Sequence, residues 1–290
     1  MKKRWIIAFI FSVFLPLWMV SGQIDFYETR EETFQAVPDR PLEVLLEVDA
    51  GKLIVEKGLD PYKVTVIMKY TDREFKERID MDENKNRVKI TLNRKNWFKI
   101  HHDRQKEDGP WAEVTVLLPY AVDILFDANI KAGEAQLVMD GIRLREFSMN
   151  HWIGELEVRF NEPNPIMMDF LDITAKVGET RLIHLGNAHF HRADINGGVG
   201  ELQVDFTGDL QSQSQANIDL DIGEASVLLP QNMGVMMQIG GGFSFLSEKN
   251  LDNSFYKRGK TYYSDDYEEK EQKFILRITP GLGDLKVDRE

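Results

Sequence analysis

Acidic and amide side chains recur through the middle of the chain in a pattern that could bind a cation or a sugar. The candidate binding residues are Asp127, Asn129, Asp172, Asp194, Asn196 and Asp219. Carboxylate and amide oxygens are the ligands that Ca²⁺ takes in proteins. Like charges on neighbouring strands, about 5 Å apart, repel each other unless a cation, an amide or water lies between them. The pattern permits a Ca²⁺ or polysaccharide site, and the structural alternative is a ladder of asparagines that only hydrogen-bond one another.

These residues keep a constant distance from a repeated glycine–acid step, which they precede by four or six positions. The copies of the step are Gly133-Glu134, Gly154-Glu155, Gly178-Glu179, Gly200-Glu201 and Gly223-Glu224, with Gly51-Lys52 and Gly283-Asp284 as outlying copies. The five central glycines follow one another at intervals of 21 to 24 residues. Such a near-constant period is typical of a solenoid.

Apolar residues alternate around each step with a period of two, so the repeating units are predicted to be strands. Small or apolar residues stand two and four positions after the glycine, as in Leu156 and Val158, and one and five positions before it, as in Ile153 and Met149. We expect all four columns to face the core, with the glycine at a bend. This predicts an all-β fold: a right-handed parallel β-helix (β-solenoid) of about seven coils with hairpin-like N- and C-terminal caps. The hand rests on the general rule for parallel crossovers.

The N-terminal residues have the pattern of a secretory signal peptide. Basic residues at positions 2–4 precede an apolar run over residues 5–20, and two small residues follow. We predict a signal peptide over 1–22, cleaved after Gly22. An uncleaved membrane anchor is the alternative, because the apolar run is slightly short of the roughly 20 residues that span a bilayer. A linker over 23–40 and a single β-solenoid domain over 41–290 complete the predicted organisation.

Two regions interrupt the repeat and are predicted to cap the ends of the solenoid. Residues 60–110 hold the runs "YKVTVIMKY" and "RVKITLNRK", interpreted as a strand pair, and a basic loop around Trp97 and Phe98. Residues 242–272 form an insertion rich in tyrosines and carboxylates. We expect both regions to protect the end strands from edge-to-edge growth. A docking loop in the first region and a sugar site in the second are the alternatives.

Composition and charge disfavour several classes of function. The chain has 48 acidic and 36 basic residues and a formal net charge of −12, which argues against binding to nucleic acid or to an anionic membrane surface. It has no cysteine, and so no disulfide and no thiolate metal site. The glutamates of the repeated step form a third predicted ladder with a structural role. We expect backbone amides and the nearby Lys131, Lys176 and Arg181 to offset its charge.

The histidines and the remaining polar residues show no complete catalytic or metal-binding set. His189 and His191 have a spacing compatible with Zn²⁺ or Cu²⁺, but no third ligand is evident. His184 and His151 fall in inward columns and are predicted to be buried core histidines. No serine or cysteine nucleophile motif occurs, and Arg192 is the only basic residue near the paired aspartates. We predict no enzyme activity, no metal and no cofactor.

The run "WAEVTVLLPYAVDILFDANIKAGEAQLVMDG", from Trp111 to Gly141, resembles the bacterial toast-rack β-strand-repeat proteins. The segments "GEASVLLPQNMGVMMQIGGGFSFLS" and "PGLGDLKV" are similar to the C-terminal domains of Lia-type cell-wall-stress response membrane proteins, which share that fold. The resemblance covers roughly residues 40 to 290. It implies an adhesin-like or envelope-stress-associated domain without an assigned active site.

The sequence therefore predicts an exported, non-enzymatic β-solenoid of the cell envelope that acts as a scaffold or binding surface. The alternative is a Ca²⁺-dependent carbohydrate-binding or polysaccharide-active β-helix protein that uses the Asp/Asn residues. The expected partner is an envelope polysaccharide or another envelope protein, and the expected location is the periplasm, the cell envelope or the extracellular space. Contact with a membrane is expected only through an unprocessed N-terminal segment.

Overall fold

The computed structural model describes residues 27–95, 112–211, 213–240 and 245–290. The predicted signal peptide over 1–22 and the loop around Trp97 and Phe98 lie outside these residues. Within them the chain is all-β, with eighteen strands and one short 3-10 turn over Leu185–Ala188. No helix in these described ranges is long and apolar enough to cross a membrane.

The strands fall into an N-terminal group, a repeating middle group and a C-terminal group. The N-terminal strands are β1 (Tyr27–Gln35), β2 (Leu42–Val48), β3 (Gly51–Lys57), β4 (Lys63–Thr71), β5 (Phe75–Asp82), β6 (Arg87–Arg94) and β7 (Ala112–Leu118). The middle strands are β8 (Ile124–Ile130), β9 (Gly133–Val138), β10 (Leu144–Arg159), β11 (Met168–Ile183), β12 (Phe190–Asp205) and β13 (Gln215–Leu229). The C-terminal strands are β14 (Gly234–Ile239), β15 (Phe245–Leu251), β16 (Phe255–Arg258), β17 (Thr261–Ser264) and β18 (Lys273–Arg289).

The glycine–acid steps of neighbouring repeats pair in parallel and in register. Each of β10, β11, β12, β13 and β18 runs through the step, whereas β2 with β3 and β8 with β9 follow the same path with a break before the glycine. We call each such path a rung. The paired glycines, in stacking order, are Gly51, Gly133, Gly154, Gly178, Gly200, Gly223 and Gly283. The predicted all-β, solenoid-like fold is confirmed.

Glycine is required at the step by a close backbone approach between rungs. Gly178 has φ +131°, and a Cβ atom placed on it would lie 1.9 Å from the carbonyl oxygen of Gly154. The same approach repeats at each of the central glycines. Only a residue without a side chain can hold this positive φ and this contact together.

Three of the four apolar columns predicted to face the core do so. The side chains two positions after the glycine are buried: Ala135, Leu156, Thr180, Leu202, Ala225 and Leu285. Those four positions after it are buried as well: Leu137, Val158, Leu182, Val204, Val227 and Val287. The column five positions before the glycine, which includes Met149, also lies in the core. Aromatic pairs extend the core along the stack, with the Phe126 and Phe147 rings stacked at 5.3 Å between centroids.

The fourth apolar column, directly before the glycine, is exposed, and its predicted inward position is wrong. Its members are Ile153, Val177, Val199, Ile222 and Leu282, which are 46–57% exposed and which we call the corner ridge. Both residues that precede the glycine, such as Trp152 and Ile153, point outward. The strand turns an outer corner there, so the period-two alternation slips by one residue.

At the N-terminal end, the rung formed by β2 and β3 lies between two rungs that follow it in the chain. It pairs in parallel with β6 and β7 on one side and with β8 and β9 on the other. β4 pairs antiparallel with β7 and β1, and β5 pairs antiparallel with β6. The two runs predicted as a strand pair are β4 and β6, but each pairs with other strands.

β1 lies inside the predicted linker over 23–40. Its sequence, "YETREETFQ", is largely polar and lacks the apolar alternation that marks the other strands. Polar and charged residues are what an edge strand carries to prevent pairing with another chain. The N-terminal end is therefore capped by antiparallel strands that begin before residue 41.

At the C-terminal end, β18 lies between β13 and the pair formed by β14 and β15, although it is the last strand in the chain. The predicted insertion over 242–272 contains the antiparallel hairpin of β16 and β17, and β17 also pairs antiparallel with β14. Tyr263 stacks on Tyr256 at 5.8 Å and meets Tyr267 edge-on at 5.0 Å. These aromatic contacts lie within the C-terminal cap, and the pairing of β17 with β14 joins that cap to the stack.

Two buried asparagines hold the loops that connect β10 to β11 and β11 to β12. Asn164 is fully buried, accepts a hydrogen bond from the Leu144 N–H and donates to the carbonyl oxygens of Leu144 and Ala188. Asn187 has the same role in the following loop, where it donates to the Phe160 carbonyl oxygen at 2.8 Å. These side chains satisfy backbone groups that strand pairing leaves free in the turns.

Candidate binding surfaces

The structure places all six predicted binding residues on one outward sheet face, in two columns. Six positions before the glycine the column reads Asp127, Ser148, Asp172, Asp194 and Asn217. Four positions before it the column reads Asn129, Asn150, Thr174, Asn196 and Asp219. We call this surface the Asp/Asn face. The parallel register brings equivalent residues of neighbouring rungs side by side, as the repeat predicted.

Asp194 is the best-satisfied carboxylate on the Asp/Asn face. The Arg192 guanidinium donates to both of its oxygens, at 2.9 Å and 3.2 Å. From the next rung, the Asn217 amide donates to it at 2.6 Å. These contacts use the oxygens of Asp194 within the stack, as a structural role requires.

Asp172 and Asp127 have no such guanidinium or amide donor, although the Thr174 hydroxyl donates to Asp172, and the ionised forms of both are disfavoured. Partial burial, together with the charge of Asp194 on the next rung, raises the pKa of Asp172 above its usual range. Partial burial, followed by the charges of Glu43 and Glu47, raises the pKa of Asp127. A cation at either carboxylate would relieve this unfavourable charge.

The asparagine ladder is only partly connected by hydrogen bonds. The Asn196 amide donates to the Thr174 hydroxyl at 3.4 Å across neighbouring rungs. The carbonyl oxygen of the Asn129 side chain is buried and has no hydrogen-bond partner among the described residues. The ladder therefore stabilises the stack at some rungs and not at others.

A notch of about 670 Å³ interrupts the Asp/Asn face next to the corner ridge. Its lining includes Thr174, Asn196, Asp219 and Asp221, so two of the six predicted binding residues face it. The notch opens at Gly198 and Gly281. These two glycines occupy the position two residues before the glycine of the step, where other rungs carry Trp152 and Lys176. A Cβ atom on Gly198 would lie 2.2 Å from the Lys176 carbonyl oxygen. Asp127, Asn129, Asp172 and Asp194 lie outside the notch.

The carboxylates directly after the glycines form a longer ladder than predicted. In register order it reads Glu134, Glu155, Glu179, Glu201, Glu224 and Asp284, with Lys52 at its N-terminal end. Glu248, which does not follow a glycine, extends it by pairing with Asp284. Lys52 pairs with Glu134 at 3.2 Å, and Arg181 pairs with Glu179 as predicted. A groove of about 240 Å³ lies over the last four of these carboxylates.

Two of the three basic residues expected to offset this ladder bind elsewhere. The Lys131 ammonium pairs with Asp49 at 2.7 Å. The Lys176 ammonium lies 4.4 Å from the centroid of the Trp152 ring, a cation–π contact. Both lysines come before the glycine and therefore lie on the other side of the corner from the ladder.

Of the two histidines predicted to lie in the core, only His151 does. His151 is 1% exposed, and its Nε2 lies 3.1 Å from the Gly133 carbonyl oxygen. Burial lowers the pKa of His151, and the hydrogen bond opposes that shift. The prediction that His184 lies in the core is wrong, because its side chain is 43% exposed and lies 3.7 Å from Asp205. It has φ +55° at the start of the 3-10 turn, so Leu185 takes the inward place.

His189 and His191 do not form a metal pair with a third ligand. His189 Nε2 lies 3.1 Å from an Asp209 oxygen, and His191 is exposed. In the ranges that the structure describes, no three His, Asp or Glu side chains converge in a way that could hold a metal ion.

Two features of these surfaces were missed from the sequence, the corner ridge and the notch. A signal for the notch was present: aligned on the step, the position two before the glycine holds Trp152, Lys176, Gly198, Asp221 and Gly281. Two glycines in a column of large or charged side chains indicate a gap in the surface. The corner ridge gave no equivalent signal, because exposed and buried apolar columns have the same residue types.

Residues 24–169 match the model of a protein family described as the N-terminal domain of toast_rack, DUF2154. The match covers just over half of the 290 residues. A comparison with curated proteins finds no match.

Solved structures similar to the chain are distant. A candidate cell adhesion protein from Clostridium sporogenes shares 16% identity, with a TM-score of 0.40 over 91% of this chain and 100% of its own. A candidate adhesin from Bacteroides fragilis shares 10% identity, with a TM-score of 0.42 over 90% of this chain and 97% of its own. A candidate lipid-binding protein from Parabacteroides distasonis shares 9% identity, with a TM-score of 0.34 over 91% and 96%. At these TM-scores no functional conclusion passes from them to this chain.

Proposed function

The chain belongs to the toast-rack family, and from that premise we propose that it is an exported, non-enzymatic β-solenoid of the cell envelope that acts as a binding scaffold. In this proposal the stack is a right-handed parallel β-helix of about seven coils, one for each aligned glycine, since right-handed crossovers are the rule between parallel strands. The family resemblance implies an adhesin-like or envelope-stress-associated role. An envelope polysaccharide or another envelope protein is the partner class that fits a chain with a net charge of −12.

The corner ridge is the observation that carries this proposal. Five apolar side chains, one from each of five consecutive rungs, stand in one line and are about half exposed. Single exposed apolar residues are common on protein surfaces, but a contiguous line of them is typical of an interaction site. The polar columns beside it, in contrast, use several of their groups inside the stack, as Asp194 does.

The test is to locate the full chain in cells and to capture its partner from envelope extracts. We expect the chain in an exported or envelope fraction, and we expect the immobilised chain to retain an envelope protein or polysaccharide that free chain displaces. A chain found only in the cytoplasm, or one that cleaves envelope glycans, would contradict the proposal.

A second candidate function is Ca²⁺-dependent binding of a carbohydrate, or action on a polysaccharide, at the Asp/Asn face. The notch favours it, because Thr174, Asn196 and Asp219 present hydroxyl, amide and carboxylate groups around a space that a sugar ring could enter. Such groups hydrogen-bond the hydroxyls of sugars and coordinate Ca²⁺.

Calorimetry with Ca²⁺ and with envelope glycans separates the two candidates. If the second is right, the unmodified chain binds one of these ligands, and an Asp219→Asn variant, changed in the lining of the notch, loses that binding while keeping its fold. A Glu146→Gln variant, on the same face but outside the notch, is the matched control. No affinity of the unmodified chain for Ca²⁺ or glycans would remove this candidate.

A further inference from the structure

Two parallel rows of side chains, one apolar and one acidic, run along the outer corner of the stack. The apolar row is the corner ridge, and the acidic row consists of Glu155, Glu179, Glu201, Glu224 and Asp284 on the same five rungs. In each rung only the glycine separates the two residues, so the two rows lie next to each other, one on either side of the corner. With rungs about 4.8 Å apart, each row is about 19 Å long.

Most of the acidic row forms no ion pair within the described ranges of the chain, and Lys286, which lines the groove along this row, pairs with Asp288. Glu179 is paired with Arg181. No ion pair among the described residues involves Glu155, Glu201, Glu224 or Asp284. Like charges in register on neighbouring strands repel. Binding of external cations would remove that repulsion, and covering the apolar row would remove apolar surface from water. The two rows together favour a ligand that is both apolar and cationic.

A second copy of the chain does not supply that chemistry. Among the described residues, the cations in the column next to the ridge, two positions before the glycine, are Lys131 and Lys176. Lys131 is already paired with Asp49, and Lys176 lies over the Trp152 ring. Two chains that each carry a net charge of −12 would also repel each other.

The spacing of the rows indicates the secondary structure of the ligand. Successive turns of an α-helix are about 5.4 Å apart, close to the rung spacing of about 4.8 Å. A helix laid along the stack therefore places one side chain per turn over each successive rung. Side chains on one side of an extended strand are about 6.8 Å apart and lose this register within two rungs.

We propose that the corner ridge and the acidic row bind an amphipathic helix of a cationic partner protein. The helix lies along the stack with its apolar stripe on Val177, Val199 and Ile222 and its lysines or arginines over Glu201 and Glu224. This inference rests on the proposed function as a binding scaffold, and it adds the chemistry of the partner.

The probe for this site is a synthetic amphipathic peptide of about 18 residues, about 27 Å long as a helix. It carries leucine at every third or fourth position and lysine along one edge of the leucine stripe. Binding to the full chain is followed by fluorescence anisotropy at low and at raised salt. We expect saturable binding that weakens as salt rises, because exposed charges are screened. A peptide with glutamate in place of lysine should not bind.

Two variants test the two rows separately. A Val177→Thr, Val199→Thr, Ile222→Thr variant keeps β-branched residues at exposed positions, so the fold is expected to persist, and its affinity should fall at least about tenfold. A Glu201→Gln, Glu224→Gln variant should bind more weakly at low salt and lose much of the salt dependence. Met167→Thr and Glu56→Gln are the matched controls, each exposed and away from the corner, and both should bind as the unmodified chain does.

Three outcomes would overturn the inference: no binding of the cationic peptide, equal binding of its glutamate version, or equal binding by all variants. Sedimentation adds a fourth, a dimer of the unmodified chain that the threonine variant converts to a monomer. If envelope extracts still yield a partner that the threonine variant also captures, the scaffold proposal stands and the ridge is not its site.

Discussion

Asp172 lies directly beside Asp194 on the neighbouring strand, in the same outward column. The two carboxylates differ in their hydrogen-bond partners, because Arg192 and Asn217 both donate to Asp194. Asp172 instead meets the charge of Asp194, with Asp127 two rungs away on its other side, and its pKa is raised. The ionised form of Asp172 is therefore disfavoured, whereas both oxygens of Asp194 accept hydrogen bonds from Arg192.

Replacing Asp172 with asparagine should stabilise the protein at neutral pH. A carboxyl group whose pKa is higher in the folded than in the unfolded chain carries a penalty above the folded pKa, and this penalty disappears below the unfolded value of about 3.9. Asp172→Asn should therefore raise the thermal midpoint at pH 7, and the gain should vanish near pH 4. Asp221→Asn, at an exposed position on the same sheet face, is the control. A lower midpoint for Asp172→Asn at pH 7 would contradict the unequal pairing.

Replacing Gly178 with alanine should disrupt the stack. The new Cβ would overlap the Gly154 carbonyl oxygen at 1.9 Å, at a φ of +131° that alanine disfavours. Backbone strain of this kind costs about 1–3 kcal/mol before any rung separates, so we expect a loss of at least about 3 kcal/mol in urea unfolding. Gly259→Asn tests the specificity of the effect, since Gly259 has φ +65° and no atom within 4 Å of a Cβ. Equal stability of the two variants would show that the rungs do not need the close approach.

The repeat was predictable because the close approach at the corner allows only glycine, so the sequence marks the seven rungs that carry the step. The order of the rungs at the ends was not. β18 pairs with β13, although β14 to β17 lie between them in the sequence. A local pattern of apolar residues does not indicate which distant strand a given strand pairs with. The polar sequence of β1 likewise suits an edge strand and resembles a linker.

For the candidate surfaces, the sequence predicted which residues share a column. Asp172 and Asp194 were assigned to neighbouring rungs because the distance from the glycine fixes the register. The corner ridge was misplaced because counting by two assumes a straight strand, and Trp152 and Ile153 both point outward at the bend. His184 was misplaced for a related reason, since its strand ends at Ile183 and the chain turns into the 3-10 segment.

His151 should make the protein less stable as the pH falls below about 6.5. Burial lowers its pKa in the folded chain, whereas an unfolded histidine titrates near 6.5. Protons therefore bind the unfolded chain first, and stability is lost as the pH falls through that range. His151→Gln removes the titration, so the unmodified chain should lose more thermal stability than this variant between pH 7.5 and 5.5. His191→Gln, at an exposed site, should behave as the unmodified chain. Parallel pH profiles for His151→Gln and the unmodified chain would contradict the assignment.

Asn164→Ala should destabilise the connection between rungs more than any exposed asparagine does. The substitution removes partners from the N–H and C=O of Leu144 and from the C=O of Ala188, all held by one fully buried side chain. Each buried polar group left without a partner costs about 1–3 kcal/mol, so a loss of about 3 kcal/mol in urea unfolding is expected. Asn161→Ala is the matched control in the same loop, where the exposed amide donates to Asp140 at 2.9 Å. That loss should stay below about 1 kcal/mol, as for most surface substitutions. Similar losses for both variants would mean that the loop, and not the buried amide, holds the rungs together.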